Sequence, residues 1–228
     1  MIKHVPNALT LLRLVLAPVI AWLMWLVLVA PLAPKSLAEN FLDGDVHHAS
    51  LKDAADVLTL AAVLFVVAAL TDLFDGMIAR AFNAHSKFGR LIDPIADKAL
   101  VGLPLIVISM ATWMSGYPAW PIVVLASAVI IIRDVLMTVI RFTSSDGEGA
   151  RVSSLAKIKT ALELIVIGSL LAAAAIGAHM QVQASLEEPS GAFVLPYANI
   201  FEYVWLGLLV ITAALSAYTA LQYLRPKR

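Results

Sequence analysis

Apolar residues along this chain come in long unbroken runs, not in the strict alternation of a half-buried strand. Six such runs cover residues 10–32, 55–75, 92–113, 119–141, 159–180 and 200–222. Each is close to the ~20 apolar residues that a helix needs to cross the hydrocarbon of a bilayer. Polar and helix-breaking residues punctuate the runs. Pro6-Asn7 precedes the first and suits a short segment turning into a helix. Pro18 predicts a kink inside it, and Pro31 and Pro34 end it. Ser115-Gly116-Tyr117-Pro118 predicts a tight turn between the third and fourth runs, and Pro189 and Gly191 fall in the loop before the sixth. The expected fold is all-α: a polytopic membrane protein of six transmembrane helices forming one domain over residues 1–228.

Composition strengthens this picture by exclusion. Hydrophobic residues make up 61% of the chain and charged residues 14%, against about 25% charged in an average soluble domain. Mean hydropathy is +0.89. A soluble domain of this size leaves too much surface in water to hide so much apolar area. The formal net charge is zero, so no global field points to nucleic acid. Without cysteine there is neither a disulfide framework nor thiolate chemistry. Lys3 followed by the apolar run Leu14 to Ala33 resembles a signal peptide. That run exceeds the ~7–15 residues of a secretory h-region, and it reads as a retained helix.

Charge sets the orientation. Of the sixteen Lys and Arg residues, all but Lys35 and Lys52 fall at one set of helix ends. Basic residues concentrate on the cytoplasmic side of membrane proteins, so both termini and the chemistry are expected there. The 33–54 loop, with Glu39, Asp43, Asp45, His47 and His48, and the 181–198 loop, with Glu187 and Glu188, face the other way. His4, His85 and His179 stand apart from one another and from the 47–48 pair, and read as surface or interfacial residues.

Four acids interrupt apolar helix ends between residues 72 and 97. Asp72 and Asp75 are three apart, Asp93 and Asp97 four apart, and either spacing puts a pair on one helix face. Charges at membrane depth normally face a bundle interior or a polar cavity. A hard divalent cation would relieve the mutual repulsion, and Mg²⁺ is commonly shared between carboxylates and substrate phosphates. Gly76 and Ala79 leave room beside the first pair, and Arg80 offers a donor fork suited to phosphate. Two other readings fit the same spacing: ion pairs with Arg80, Arg90 and Lys98 at a loop surface, or an ion-conducting site in a non-enzymatic cation transporter.

The string Asp72-x2-Asp75-Gly76-x2-Ala79-Arg80-x8-Gly89-x3-Asp93-x3-Asp97 resembles the signature of the CDP-alcohol phosphatidyltransferases at all eight fixed positions. The resemblance implies a six-helix membrane fold, a homodimer, and a site open to the cytoplasm or inner leaflet of a bacterial inner membrane. It implies that Asp72, Asp75, Asp93 and Asp97 hold metal, Mg²⁺ or Mn²⁺ and two ions, with Asp97 also taking the acceptor's proton. Asn7, Thr10, Gly76, Ala79, Arg80 and Gly89 match positions that border the CDP-lipid.

Further likeness, to the bacterial branch that uses glycerol 3-phosphate, lies in the segments 5–13, 92–98 and 133–160. It departs at Ala156, where glycine is common, and at Asp134, where glutamate is common. The implied reaction passes the phosphatidyl group of CDP-diacylglycerol to glycerol 3-phosphate. A dianionic acceptor phosphate calls for several cations, and Arg133, Arg141, Lys157 and Lys159 cluster at the basic ends of the fourth and fifth runs. The same residues also satisfy the positive-inside rule, and Lys159 can pair with Glu163 one turn on. Serine, inositol phosphate or a lipid alcohol remain open as acceptors.

Overall fold

The structure, a computed structural model, describes residues 5–32, 51–82, 87–143, 154–187 and 198–224. Six helices carry the chain: α1 (Val5–Leu28), α2 (Leu51–Phe82), α3 (Lys87–Met114), α4 (Trp120–Thr143), α5 (Ser154–Glu187) and α6 (Ala198–Leu224). A single 3₁₀ turn, Ala30–Leu32, follows α1. All six helices contain a stretch long and apolar enough to cross a membrane. The all-α, six-span expectation therefore holds.

Boundaries differ where apolarity and helicity part company. The apolar stretch of α2 ends at Thr71, but the helix continues to Phe82 and carries the first half of the aspartate motif. Likewise α5 runs to Glu187, through residues expected to form a loop, and α2 begins at Leu51, inside the other expected loop. Hydropathy reports which residues tolerate lipid; backbone hydrogen bonding extends past them into water. At 1.5 Å per residue the 34 residues of α5 span ~51 Å, against a hydrocarbon thickness of ~30 Å. Pro18 lies inside α1, which continues through it to Leu28. Pro31 follows in the 3₁₀ turn, where no helical donor is needed.

The helices form a ring. α1 packs against α2 and α3; α2 continues to α5, α5 to α6, α6 to α4, and α4 back to α3. Weaker contacts between α3 and α5 cross the interior. The core consists of aliphatic and aromatic side chains such as Met24, Phe65, Leu105, Ile130, Ile167 and Leu209. A side chain at Gly168 would bring its Cβ to 3.4 Å from the Phe65 ring, so α2 and α5 approach closely there. Val15, Leu125, Ile132 and Val204 point outward and are largely exposed, as a lipid-facing surface requires.

The expected turn between α3 and α4 is a Schellman cap. Tyr117 N–H donates to the Thr112 carbonyl (3.1 Å) and Gly116 N–H to that of Trp113 (3.2 Å). Gly116 adopts φ 69°, the left-handed conformation this cap requires.

Candidate active site

The second half of the aspartate motif lies within the first turns of α3, where α1 reaches it. Thr10 Oγ1 donates to Asp93 Oδ1, and Arg13 Nη1 donates to Asp97 Oδ1 in an ion pair. Thr10 and Arg13 are three apart on α1, and the two aspartates four apart on α3. The pairing therefore joins one face of each helix, with both chains running in the same direction. Both α1 donors are buried, Arg13 with 1% exposure, while the Asp97 side chain keeps 38%. The Asp97 carboxylate thus sits at the edge of the packed bundle, braced by Arg13 and partly exposed. Pro94, between Asp93 and Asp97, removes a backbone donor within α3.

Asp72, Asp75, Gly76, Ala79 and Arg80 lie on the last turns of α2, and Gly89 in the first turn of α3. Their side chains, with those of Asn7, Arg141 and Lys157, lie outside the described residues.

Beside the aspartate pair of α3, a second constellation crosses the ring. Asp134 of α4 accepts from Lys159 of α5 and from Arg133 (2.9 Å), and its Oδ2 lies 2.9 Å from Lys98 Nζ of α3. Lys159 also pairs with Glu163 Oε1 at 2.6 Å, the i,i+4 contact visible in the sequence. Arg133 Nη2 donates to Thr219 Oγ1 of α6 at 3.2 Å. Four helices are therefore tied together by one carboxylate and its partners. Of the expected acceptor-binding cations, the structure brings Arg133 and Lys159 together, both already engaged. Lys159 is 1% exposed.

Sequence reasoning singled out neither Arg13, Lys98, Asp134 nor Glu163 as members of a site. The signal was present: each is a charged group inside or at the edge of an apolar stretch, where an unpaired charge is expensive.

The sequence profile of the CDP-alcohol phosphatidyltransferases matches residues 3–210. The chain belongs to that family. Its members are membrane enzymes that generally depend on a divalent metal. Three curated relatives are named CDP-diacylglycerol–glycerol-3-phosphate 3-phosphatidyltransferase. That of Cereibacter sphaeroides is 35% identical over 167 residues, 73% of this chain and 62% of its own length. The Shigella flexneri serotype 5b relative is 30% identical over 172 residues, 74% of this chain and 78% of its own. The Escherichia coli K12 relative is 29% identical with the same coverage. The chain thus spans less than two thirds of the first of these and about three quarters of the others.

Proposed function

We propose that the chain is a single catalytic domain that transfers the phosphatidyl group of CDP-diacylglycerol to glycerol 3-phosphate, releasing CMP, in a bacterial inner membrane. The observation that carries this reading is the fixing of Asp93 and Asp97 by buried donors on α1, with Asp97 left partly exposed. A base must be oriented yet reachable, and this carboxylate is both. The printed names of the relatives supply the acceptor.

The donor set fits a hard divalent ion. Carboxylate oxygens one turn apart on α3 complement those expected from Asp72 and Asp75, and oxygen is what Mg²⁺ or Mn²⁺ selects. Two ions held by the four aspartates would neutralise diphosphate charge on the leaving group. Asp97 receives the proton of the acceptor hydroxyl as that oxygen bonds to the lipid-bearing phosphorus. The bond from this phosphorus to the CMP oxygen breaks, and CMP leaves with the electron pair. Thr10 serves the site by orienting Asp93, and Asn7, Gly76, Ala79, Arg80 and Gly89 border the CDP group. Arg141 and Lys157 meet the acceptor's phosphate, while Arg133 and Lys159, held by carboxylates, supply positive potential behind them. Both termini and the site face the cytoplasm, and two copies pair as a homodimer, as the family resemblance implies.

An acceptor screen decides the reading. Purified protein with CDP-diacylglycerol and Mg²⁺ is expected to release CMP with glycerol 3-phosphate, and little with glycerol, serine or inositol phosphate. Preference for any of those three would reassign the acceptor. Absence of CMP release with every acceptor would remove the activity.

A further inference from the structure

Among the described side chains the cross-ring cluster does not balance. Lys98, Arg133 and Lys159 contribute three cations, and Asp134 and Glu163 two carboxylates. In a poorly hydrated interior an odd positive charge is costly unless an anion completes it. The three cations are not equivalent. Lys159 is enclosed by both carboxylates, and Arg133 is 12% exposed and spread over Asp134 and Thr219. Lys98 has Asp134 as its partner among the described residues, and its side chain is 27% exposed. An ammonium has three donors, so Lys98 retains capacity that the others have committed. It is also the residue after Asp97 and shares its level on α3. The two side chains leave α3 about 100° apart, Asp97 toward Arg13 of α1 and Lys98 toward Asp134 of α4. An acceptor with a hydroxyl at one end and a phosphate at the other therefore reaches both by lying across the α3 surface between them.

We propose that Asp134 is a positioning residue that holds Lys98 as the anion-facing member of this cluster, so that Lys98 directly contacts the acceptor's phosphate. This rests on the reading of glycerol 3-phosphate as acceptor. Lys159 serves as the interior counter-ion that keeps Asp134 in place across the ring. Arg141 and Lys157 remain at the mouth of the same path.

The test compares full-length Lys98→Met, Lys98→Arg, Asp134→Asn and Asp134→Glu. Loss of one charge-assisted contact corresponds to a roughly 10- to 100-fold rise in KM for glycerol 3-phosphate. That rise is expected in Lys98→Met and, through lost positioning, in Asp134→Asn, with KM for CDP-diacylglycerol within about twofold. Lys98→Arg and Asp134→Glu should recover most of the loss. The double variant Lys98→Met/Asp134→Asn should be little worse than either single change, because both act on one contact. A wild-type acceptor KM in Lys98→Met overturns the proposal. So does an equal rise for both substrates in Asp134→Asn, which marks a loosened bundle. If Lys98→Met cannot be recovered folded, the Asp134 pair carries the same comparison.

A binding readout separates this inference from the acceptor assignment. Inorganic phosphate should raise the melting temperature of wild type and of Lys98→Arg but not of Lys98→Met. That pattern supports the anion site even if glycerol 3-phosphate is not turned over. Equal stabilisation of wild type and Lys98→Met, or none in wild type, refutes it.

Discussion

Arg13 meets Asp97 where α1 crosses α3, and the division of exposure between them defines the chemistry available. The guanidinium is buried and always charged, so its position is set by packing. The carboxylate is paired with that guanidinium yet keeps 38% of its side-chain surface exposed. If Asp97 takes the acceptor's proton, Asp97→Asn should cut turnover by about 10²–10⁴-fold, the usual contribution of a general base. CDP-lipid binding should largely survive, because one amide oxygen remains. Turnover above a few per cent of wild type would remove Asp97 from the base role. Arg13→Met should lower stability by about 1–3 kcal/mol, because it removes the charge-assisted bond to Asp97 and leaves Thr10 as the remaining described donor on that face of α1. It should also lower kcat. Arg13→Lys should restore much of the stability and less of the rate, since a single ammonium does not reproduce the planar fork. Melting temperature and steady-state kinetics on the same preparations separate these effects.

Helices and turns carry more modest and more local predictions. At Gly116 a methyl group would meet no neighbour within 4 Å, so the cost of Gly116→Ala is purely conformational. It should be about 1–2 kcal/mol, and Gly116→Asn should cost less. Unfolding in detergent measures both. Beside it, the Tyr117 hydroxyl donates to Glu202 Oε1 at 2.6 Å. Burial, then this carboxylate, pushes the phenol up from 10 to about 12. A raised folded pKa contributes stability that is complete below pH 10 and is lost as pH rises through 12. The difference in ultraviolet titration between wild type and Tyr117→Phe should therefore centre near pH 12, and a midpoint near 10 would show that the contact does not form. This turn was legible in the sequence because glycine and proline act locally. So were the six spans, whose apolar stretches reflect the solvent, and the Lys159–Glu163 contact, which needs only helical spacing. The helical extensions of α2 and α5 were not legible, since polar residues can continue a helix without signalling it. Nor was Asp134 as a hub: its partners Lys98 and Lys159 belong to other helices and meet it only through the ring closure. Asp93 and Asp97 were visible as a pair, but their braces on α1 were not.

For the molecule as a whole, the paired donors of α1, the cluster on α3, α4 and α5, and Thr219 on α6 all occupy one end of the ring. Arg13, Lys98, Arg133 and Lys159 lie at that end, which the proposed orientation puts in the cytoplasm with the α3–α4 turn outside. The chain has no cysteine, so single introduced cysteines report topology cleanly. Ser115→Cys, in an exposed turn, should react with an impermeant reagent added to intact cells. Ser145→Cys should react only after permeabilisation. The reverse pattern would invert the protein. The other half of the ring is filled differently. From Ile130, Leu105 and Ile167 outward the buried residues described are aliphatic and aromatic, with hydroxyls at Ser109, Ser127 and Thr212, and the buried charged residues described, Arg13, Asp134, Lys159 and Glu163, lie toward the other end. Such a filling presents a steep energetic barrier to any ion entering from the charged end. A bilayer crowded with this protein should therefore hold its proton gradient, because the buried charges described gather at one end of the ring.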